Sequence, residues 1–117
     1  MAILTAPLSY RLGMQVLDVD LGAPMSDAAF GQVHRAFLDS GGLLLFPGQA
    51  ICREQHIAFS RRFGELDAYD AVPLGRHPQL HEILIVANEQ VVENQNNDRY
   101  LGQNWHSDLA SSLRPAG

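Results

Sequence analysis

Residues 26–48 read Ser26-Asp27-Ala28-Ala29-Phe30-Gly31-Gln32-Val33-His34-Arg35-Ala36-Phe37-Leu38-Asp39-Ser40-Gly41-Gly42-Leu43-Leu44-Leu45-Phe46-Pro47-Gly48. Ser26 is a good helix N-cap, and Asp27 sits in the first turn, where the helix dipole favours a negative charge. Phe30, Val33, Phe37 and Leu38 fall at i, i+3, i+7 and i+8, one apolar stripe. Gly41-Gly42 supplies a stop. The spacing predicts a helix over about 27–39. Leu43-Leu44-Leu45-Phe46 is apolar at every position and is closed by Pro47-Gly48, the pattern of a short buried strand.

Working outward, residues 14–21 alternate. Leu17, Val19 and Leu21 share one face, and Asp18 and Asp20 the other, which predicts a half-buried strand. Ala23-Pro24-Met25 breaks it. Downstream, a second helix is expected over about 53–63, with Ile57, Phe59 and Phe63 inward and Gly64 as its end. Its cap position holds Cys52, a poor capping residue. Residues 65–81 contain Pro73, Gly75 and Pro78 and read as loop. Ile83 to Ala87 is another apolar strand. Residues 88–104 are polar and carry Asn88, Asn94, Asn96, Asn97 and Asn104. They read as a flexible loop, and a short strand from about Trp105 to Leu109 follows. The expected order is β-α-β-α-β-loop-β.

Composition narrows the function classes. The chain has 117 residues and a mass of 12.9 kDa, the size of one domain. Its hydrophobic content of 46% and charged content of 18% exclude a disordered chain. Eight arginines, no lysine and 13 acidic residues leave a net charge of -5, which argues against nucleic acid as a partner. No apolar run is long enough to span a membrane. The one cysteine, Cys52, excludes an internal disulfide and suits a reducing, cytoplasmic setting. The turn after the first strand carries no Gly-rich phosphate-binding pattern, so nucleotide binding is unsupported.

Trp105-His106-Ser107-Asp108 is the stretch with the most chemistry. On a strand, residues i and i+2 point to one side, so His106 and Asp108 would present an imidazole and a carboxylate to a shared cavity. That is two-thirds of the two-His, one-carboxylate set that holds non-haem Fe(II) with positions left open. The same tripeptide also fits a loop aspartate accepting a hydrogen bond from a nearby histidine. Arg61 and Arg62 read as surface charges. Phe30, Phe37, Phe59 and Phe63 read as core at helical spacing. His77 and His81 are four apart, but Pro78 between them favours a solvated loop over a metal pair.

Four blocks occur in order. They are Leu45-Phe46-Pro47-Gly48-Gln49-Ala50-Ile51, then Glu54-Gln55-His56-Ile57-Ala58-Phe59-Ser60-Arg61-Arg62-Phe63-Gly64-Glu65-Leu66, then Trp105-His106-Ser107-Asp108, and last Pro115-Ala116-Gly117. Together they resemble the taurine dioxygenase family of Fe(II)- and 2-oxoglutarate-dependent oxygenases, from about residue 10 onward. The resemblance implies an α+β chain, the N-terminal part of a double-stranded β-helix (jelly-roll) fold. Two helices would pack on a small mixed sheet and the barrel would be incomplete, with residues 1–117 forming one segment. It implies that His106 and Asp108 are the first two iron ligands and that 2-oxoglutarate is the co-substrate, converted to succinate as a small organic acid is hydroxylated.

The departures also carry expectations. The family's third iron ligand, a distal His, and its 2-oxoglutarate-binding Arg lie further downstream, and His34, His56, His77 and His81 match no family ligand. The 117-residue chain is therefore expected to be truncated and inactive alone. Taurine dioxygenase contacts its substrate through a His and an Asn, where this chain has Tyr69 and Gly102, which disfavours taurine. Tyr69, Asn88 and Asn104 are the candidate pocket residues, although Tyr69 also fits loop packing and the two asparagines fit turns. A second reading is a non-catalytic oligomerising or binding module. Strand edges left open by an incomplete barrel would pair with a second copy or with a complementary chain.

Overall fold

The computed structural model describes residues 2–68, 76–85 and 105. The chain divides into two compact units, Met1–Ala68 and Tyr69–Gly117. In the first unit the order is β1 (Thr5–Pro7), β2 (Met14–Val16), α1 (Asp27–Asp39), β3 (Leu44–Leu45) and α2 (Arg53–Ser60). The strands form one mixed sheet in the order β1-β2-β3, β1–β2 antiparallel and β2–β3 parallel. No helix among the described residues is long and apolar enough to cross a membrane.

Helix α1 has the expected bounds because its signals are local. The Ser26 hydroxyl accepts the Ala29 N–H at 3.2 Å. At the other end Gly42 N–H reaches the Phe37 carbonyl and Gly41 N–H the Leu38 carbonyl, at 3.0 and 3.4 Å. This is a Schellman closure. Both glycines have positive φ, 75° at Gly41 and 85° at Gly42. A Cβ at Gly42 would meet only the Phe37 ring at ordinary contact distance. Gly42→Ala is therefore expected to cost about 1 kcal/mol through the backbone alone, read as a lowered urea midpoint.

The apolar stripe of α1 differs from the expected one. Val33 is fully buried and Ala36 nearly so, whereas Leu38 is 58% exposed. Val16 of β2 is fully buried on the α1 side of the sheet, and these residues with Ile57 of α2 form the core among the described residues. Leu38 lies one position past Phe37, on the rim of the stripe, so the sheet takes Val33 and Ala36 instead.

The strand expected over 14–21 ends at Val16. The Asp18 carboxylate accepts the Leu4 N–H at 2.7 Å, although Leu17 N–H still donates to the Leu4 carbonyl at 2.9 Å. Asp20 likewise accepts the Gly22 N–H at 2.8 Å. Short acidic side chains thus take donors that a longer ladder would need. Strand β1 was not legible, since three residues carry no period. Pro7 suits its edge position because it has no N–H to leave unpaired. The 43–46 stretch is also shorter and less buried than expected. Only Leu44–Leu45 pairs, and Leu43 and Leu45 are each 45% exposed, because β3 is an edge strand.

Helix α2 stops at Ser60, three residues before the expected end. Residues 61–63 tighten into a turn, with Arg62 N–H donating to the Phe59 carbonyl and Phe63 N–H to the Ser60 carbonyl. The start at Cys52 is rescued by Gln55, whose side-chain oxygen accepts the Cys52 N–H at 2.8 Å. Ile57 is buried, and Phe59 meets Phe46, Phe63 and Phe30 edge-on, with centroids at 5.6, 5.4 and 6.4 Å. Phe63 joins this cluster through Phe30 and Phe37 yet stays 40% exposed.

Arg62 is not the surface charge expected of it. Its guanidinium donates to the Met25 carbonyl at 3.0 Å and to Asp27 at 2.8 Å, and lies 4.5 Å over the Phe30 ring. It ties α2 to the start of α1. The Asp27 carboxylate is fully exposed, so the ion pair itself contributes little. Arg62→Ala is expected to cost about 1–2 kcal/mol in chemical denaturation, through the lost carbonyl bond and ring contact. Asp27→Asn should leave the midpoint nearly unchanged, and an equal loss in both variants would contradict this assignment.

In the second unit, described residues 76–85 form a turn. Arg76 and Leu84 make an isolated antiparallel bridge, and His77 N–H donates to the Ile83 carbonyl at 2.8 Å. The apolar strand expected at 83–87 is a single bridge within its described part. The long loop expected at 88–104 lies outside the described residues.

Candidate functional site

The sequence-level candidates do not fall within the described residues. His106, Asp108, Tyr69, Asn88 and Asn104 all lie outside them. Trp105, the residue before the motif, is described and fully exposed.

The four described histidines are placed separately. His34 stacks beside Phe30 and Phe63, at 6.0 and 6.1 Å between centroids. His56 and His81 are exposed. The Nδ1 of His77 accepts the Leu80 N–H at 3.1 Å and the Gln79 N–H at 3.3 Å. His77 therefore closes its own turn, as expected of a loop, and the 77–81 pair forms no helix. Among the described residues no three His, Cys, Asp or Glu side chains come together to hold a metal ion.

Concavities lined by described residues lie on either side of the first unit's helices. A cavity of about 260 Å³ lies between the 21–25 segment and α2, walled mostly by apolar side chains with Gln55 and Arg62. The polar side chains around this segment are engaged by it. Gln55 donates to the Gly22 carbonyl at 3.0 Å, and Arg62 holds Met25 and Asp27. Gln49 adds a third tie. It accepts the Leu21 N–H at 2.8 Å and donates to the Val19 carbonyl at 2.9 Å. These side chains serve as struts for a segment without regular structure, a role that periodicity does not encode. The other concavity, about 410 Å³, is a shallow groove between β1 and α1. Gln32 there accepts the Ile3 N–H at 2.8 Å, and Arg35 pairs with Asp39 at 3.1 Å. Neither concavity gathers the donor set of a catalytic centre.

The family model for "Taurine catabolism dioxygenase TauD, TfdA family" matches residues 4–117. The (S)-phenoxypropionate/alpha-ketoglutarate-dioxygenase of Delftia acidovorans is 41% identical over 61 residues, 52% of this chain and 20% of that protein. The alpha-ketoglutarate-dependent 2,4-dichlorophenoxyacetate dioxygenase of Cupriavidus pinatubonensis is 28% identical over 126 aligned residues, covering 99% of this chain and 43% of that protein. Among solved structures, that of AAD-2 in complex with Mn(II) and N-oxalylglycine superposes with a TM-score of 0.53 at 30% identity, over 59% of this chain and 25% of that one. The chain thus spans less than half the length of these relatives. The two curated relatives are named for dependence on alpha-ketoglutarate, which is 2-oxoglutarate. The family match spans residues 4–117, and on that ground the chain belongs to the TauD, TfdA family of dioxygenases.

Proposed function

We propose that this chain is the N-terminal part of an Fe(II)- and 2-oxoglutarate-dependent dioxygenase of jelly-roll fold that hydroxylates a small organic acid. The observation that carries the reading is the family match, which includes the motif itself. The donor chemistry agrees. A neutral imidazole from His106 and a carboxylate from Asp108 suit a divalent ion of the iron–manganese type and leave the remaining positions to a third ligand and to substrates. The bound metal would activate O₂ with 2-oxoglutarate as the reductant. His106 and Asp108 would orient the metal and set its charge, and the positions they leave open would admit the co-substrate.

Support for the co-substrate comes from the two curated relatives, both alpha-ketoglutarate-dependent. N-oxalylglycine, bound with Mn(II) in the AAD-2 structure, is 2-oxoglutarate with one methylene replaced by N–H. Aryloxyalkanoic acids are the substrate class to try first, since the names of both curated relatives carry one. Tyr69, Asn88 and Asn104 remain the candidate pocket residues.

The test uses Mn(II) as an air-stable probe. Manganese titration of the 117-residue polypeptide, followed by electron paramagnetic resonance, should show weak binding that N-oxalylglycine perturbs. Binding that persists in Asp108→Ala would overturn the metal assignment. Absence of any binding would favour the non-catalytic module.

A further inference from the structure

His77 stands where a turn usually carries Asp, Asn or Ser. Side chains of those types accept backbone N–H groups a few positions on and so close the turn. Here an imidazole does it. Its Nδ1 accepts the Gln79 N–H at 3.3 Å and the Leu80 N–H at 3.1 Å. Pro78 between them suits this geometry. A proline ring fixes its own φ at a turn value, pushes the residue before it to extended backbone, and has no N–H to compete for the acceptor.

The imidazole contact is one link of a circuit. Leu80 N–H donates to the His77 ring, the Leu80 carbonyl accepts the Ile83 N–H at 2.9 Å, and the Ile83 carbonyl accepts the His77 N–H at 2.8 Å. The three bonds close on one another inside the Arg76–Leu84 bridge. Hydrogen bonds joined in this way strengthen one another, so losing one weakens the rest. Leu80 and Ile83 contribute backbone groups, which do not titrate. The His77 ring does. Nδ1 can accept only in a neutral ring whose proton sits on Nε2. With a second proton both nitrogens become donors, and Nδ1–H then confronts two N–H groups. A carboxamide or hydroxyl in that place would go on accepting through neutral and mildly acid pH, the range in which histidine changes charge.

We infer that His77 is a proton-operated latch on the 76–84 turn. The neutral ring holds the turn closed and mild acid releases it. The other charged or titratable side chains among the described residues of this unit are Arg76, His81 and Glu82. Arg76, and His81 when charged, oppose a second cation at position 77, whereas Glu82 favours one. The latch needs neither the proposed metal site nor catalytic activity.

Amide hydrogen exchange of the 117-residue polypeptide, followed by nuclear magnetic resonance and corrected for intrinsic rates, tests the latch. Protection of the Leu80 amide should fall about tenfold between about pH 8 and about pH 5. His77→Asn should stay protected at both, because its side-chain carbonyl accepts the same donors and does not titrate. His77→Phe should be unprotected at both. His81→Gln should keep the acid loss. Equal protection of the parent at both pH values, or the same acid loss in His77→Asn, would overturn the inference. So would an acid loss abolished by His81→Gln, which would assign the titration to His81. Nitrogen chemical shifts of the His77 ring give a second reading that needs no variant. At about pH 8 they should show a bare Nδ1 and a protonated Nε2, and a proton on Nδ1 there would overturn the latch by itself.

Discussion

Phe59→Ala is expected to destabilise the first unit by about 3 kcal/mol, a large share of the stability of a domain this size. Phe59 is the aromatic hub between α2, α1 and the segment after β3. It meets Phe63, Phe46 and Phe30 at 5.4, 5.6 and 6.4 Å, all edge-on. Truncation removes the transfer free energy of the ring and leaves a void that three other rings cannot fill by rotation alone. Among the described residues the strictly buried core is small, with Val16 and Val33 as its fully buried side chains. The loss therefore has little else to lean on. Urea denaturation followed by circular dichroism measures it. Phe59→Leu should recover about half, since a branched apolar side chain still contacts Phe30 and Phe46. A loss below about 1 kcal/mol for Phe59→Ala would show that the helices are held together by other contacts.

The second large effect concerns the proposed metal site. A polypeptide of these 117 residues is expected to release no succinate above background with Fe(II), 2-oxoglutarate and a panel of aryloxyalkanoic acids. His106 is the last histidine in the sequence, and His34 and His77 are engaged by ring stacking and by a turn. Two protein ligands hold a divalent ion far less well than three. His106→Ala should then weaken the remaining Mn(II) binding by at least the ~10–100-fold that loss of an outer hydrogen-bond partner costs at a metal centre. His34→Ala should leave that affinity unchanged. Succinate release by the 117-residue polypeptide would refute the expectation of inactivity. Unchanged affinity in His106→Ala would remove the imidazole from the proposed ligand set.

The candidate site was legible only as a string of residues. A His-x-Asp tripeptide by itself admits a loop hydrogen bond as readily as a metal ligand. The resemblance over four ordered blocks carried it further, and the family match to residues 4–117 agrees with that resemblance. The pocket residues Tyr69, Asn88 and Asn104 have no comparable support, because side chains that line a pocket are joined by tertiary geometry rather than by spacing.

Helix α1 was readable residue for residue, and the start of α2 with it. The Ser26 cap, the Gly41-Gly42 closure and a period of 3.6 all act within one or two turns of the chain. Local interactions of that kind are written in adjacent residues. The ends of the strands were not. Val16 ends β2 because Asp18 reaches the Leu4 amide, 14 residues away in sequence. Arg62 changes from a surface charge to a strut because Met25 and Asp27, more than 30 residues earlier, come to lie beside it. Leu43 and Leu45 read as buried because they are apolar, yet β3 lies at the edge of the sheet and they stand exposed. Hydrophobicity tells a chain which side chains seek cover. Only the packing of distant segments decides which of them find it.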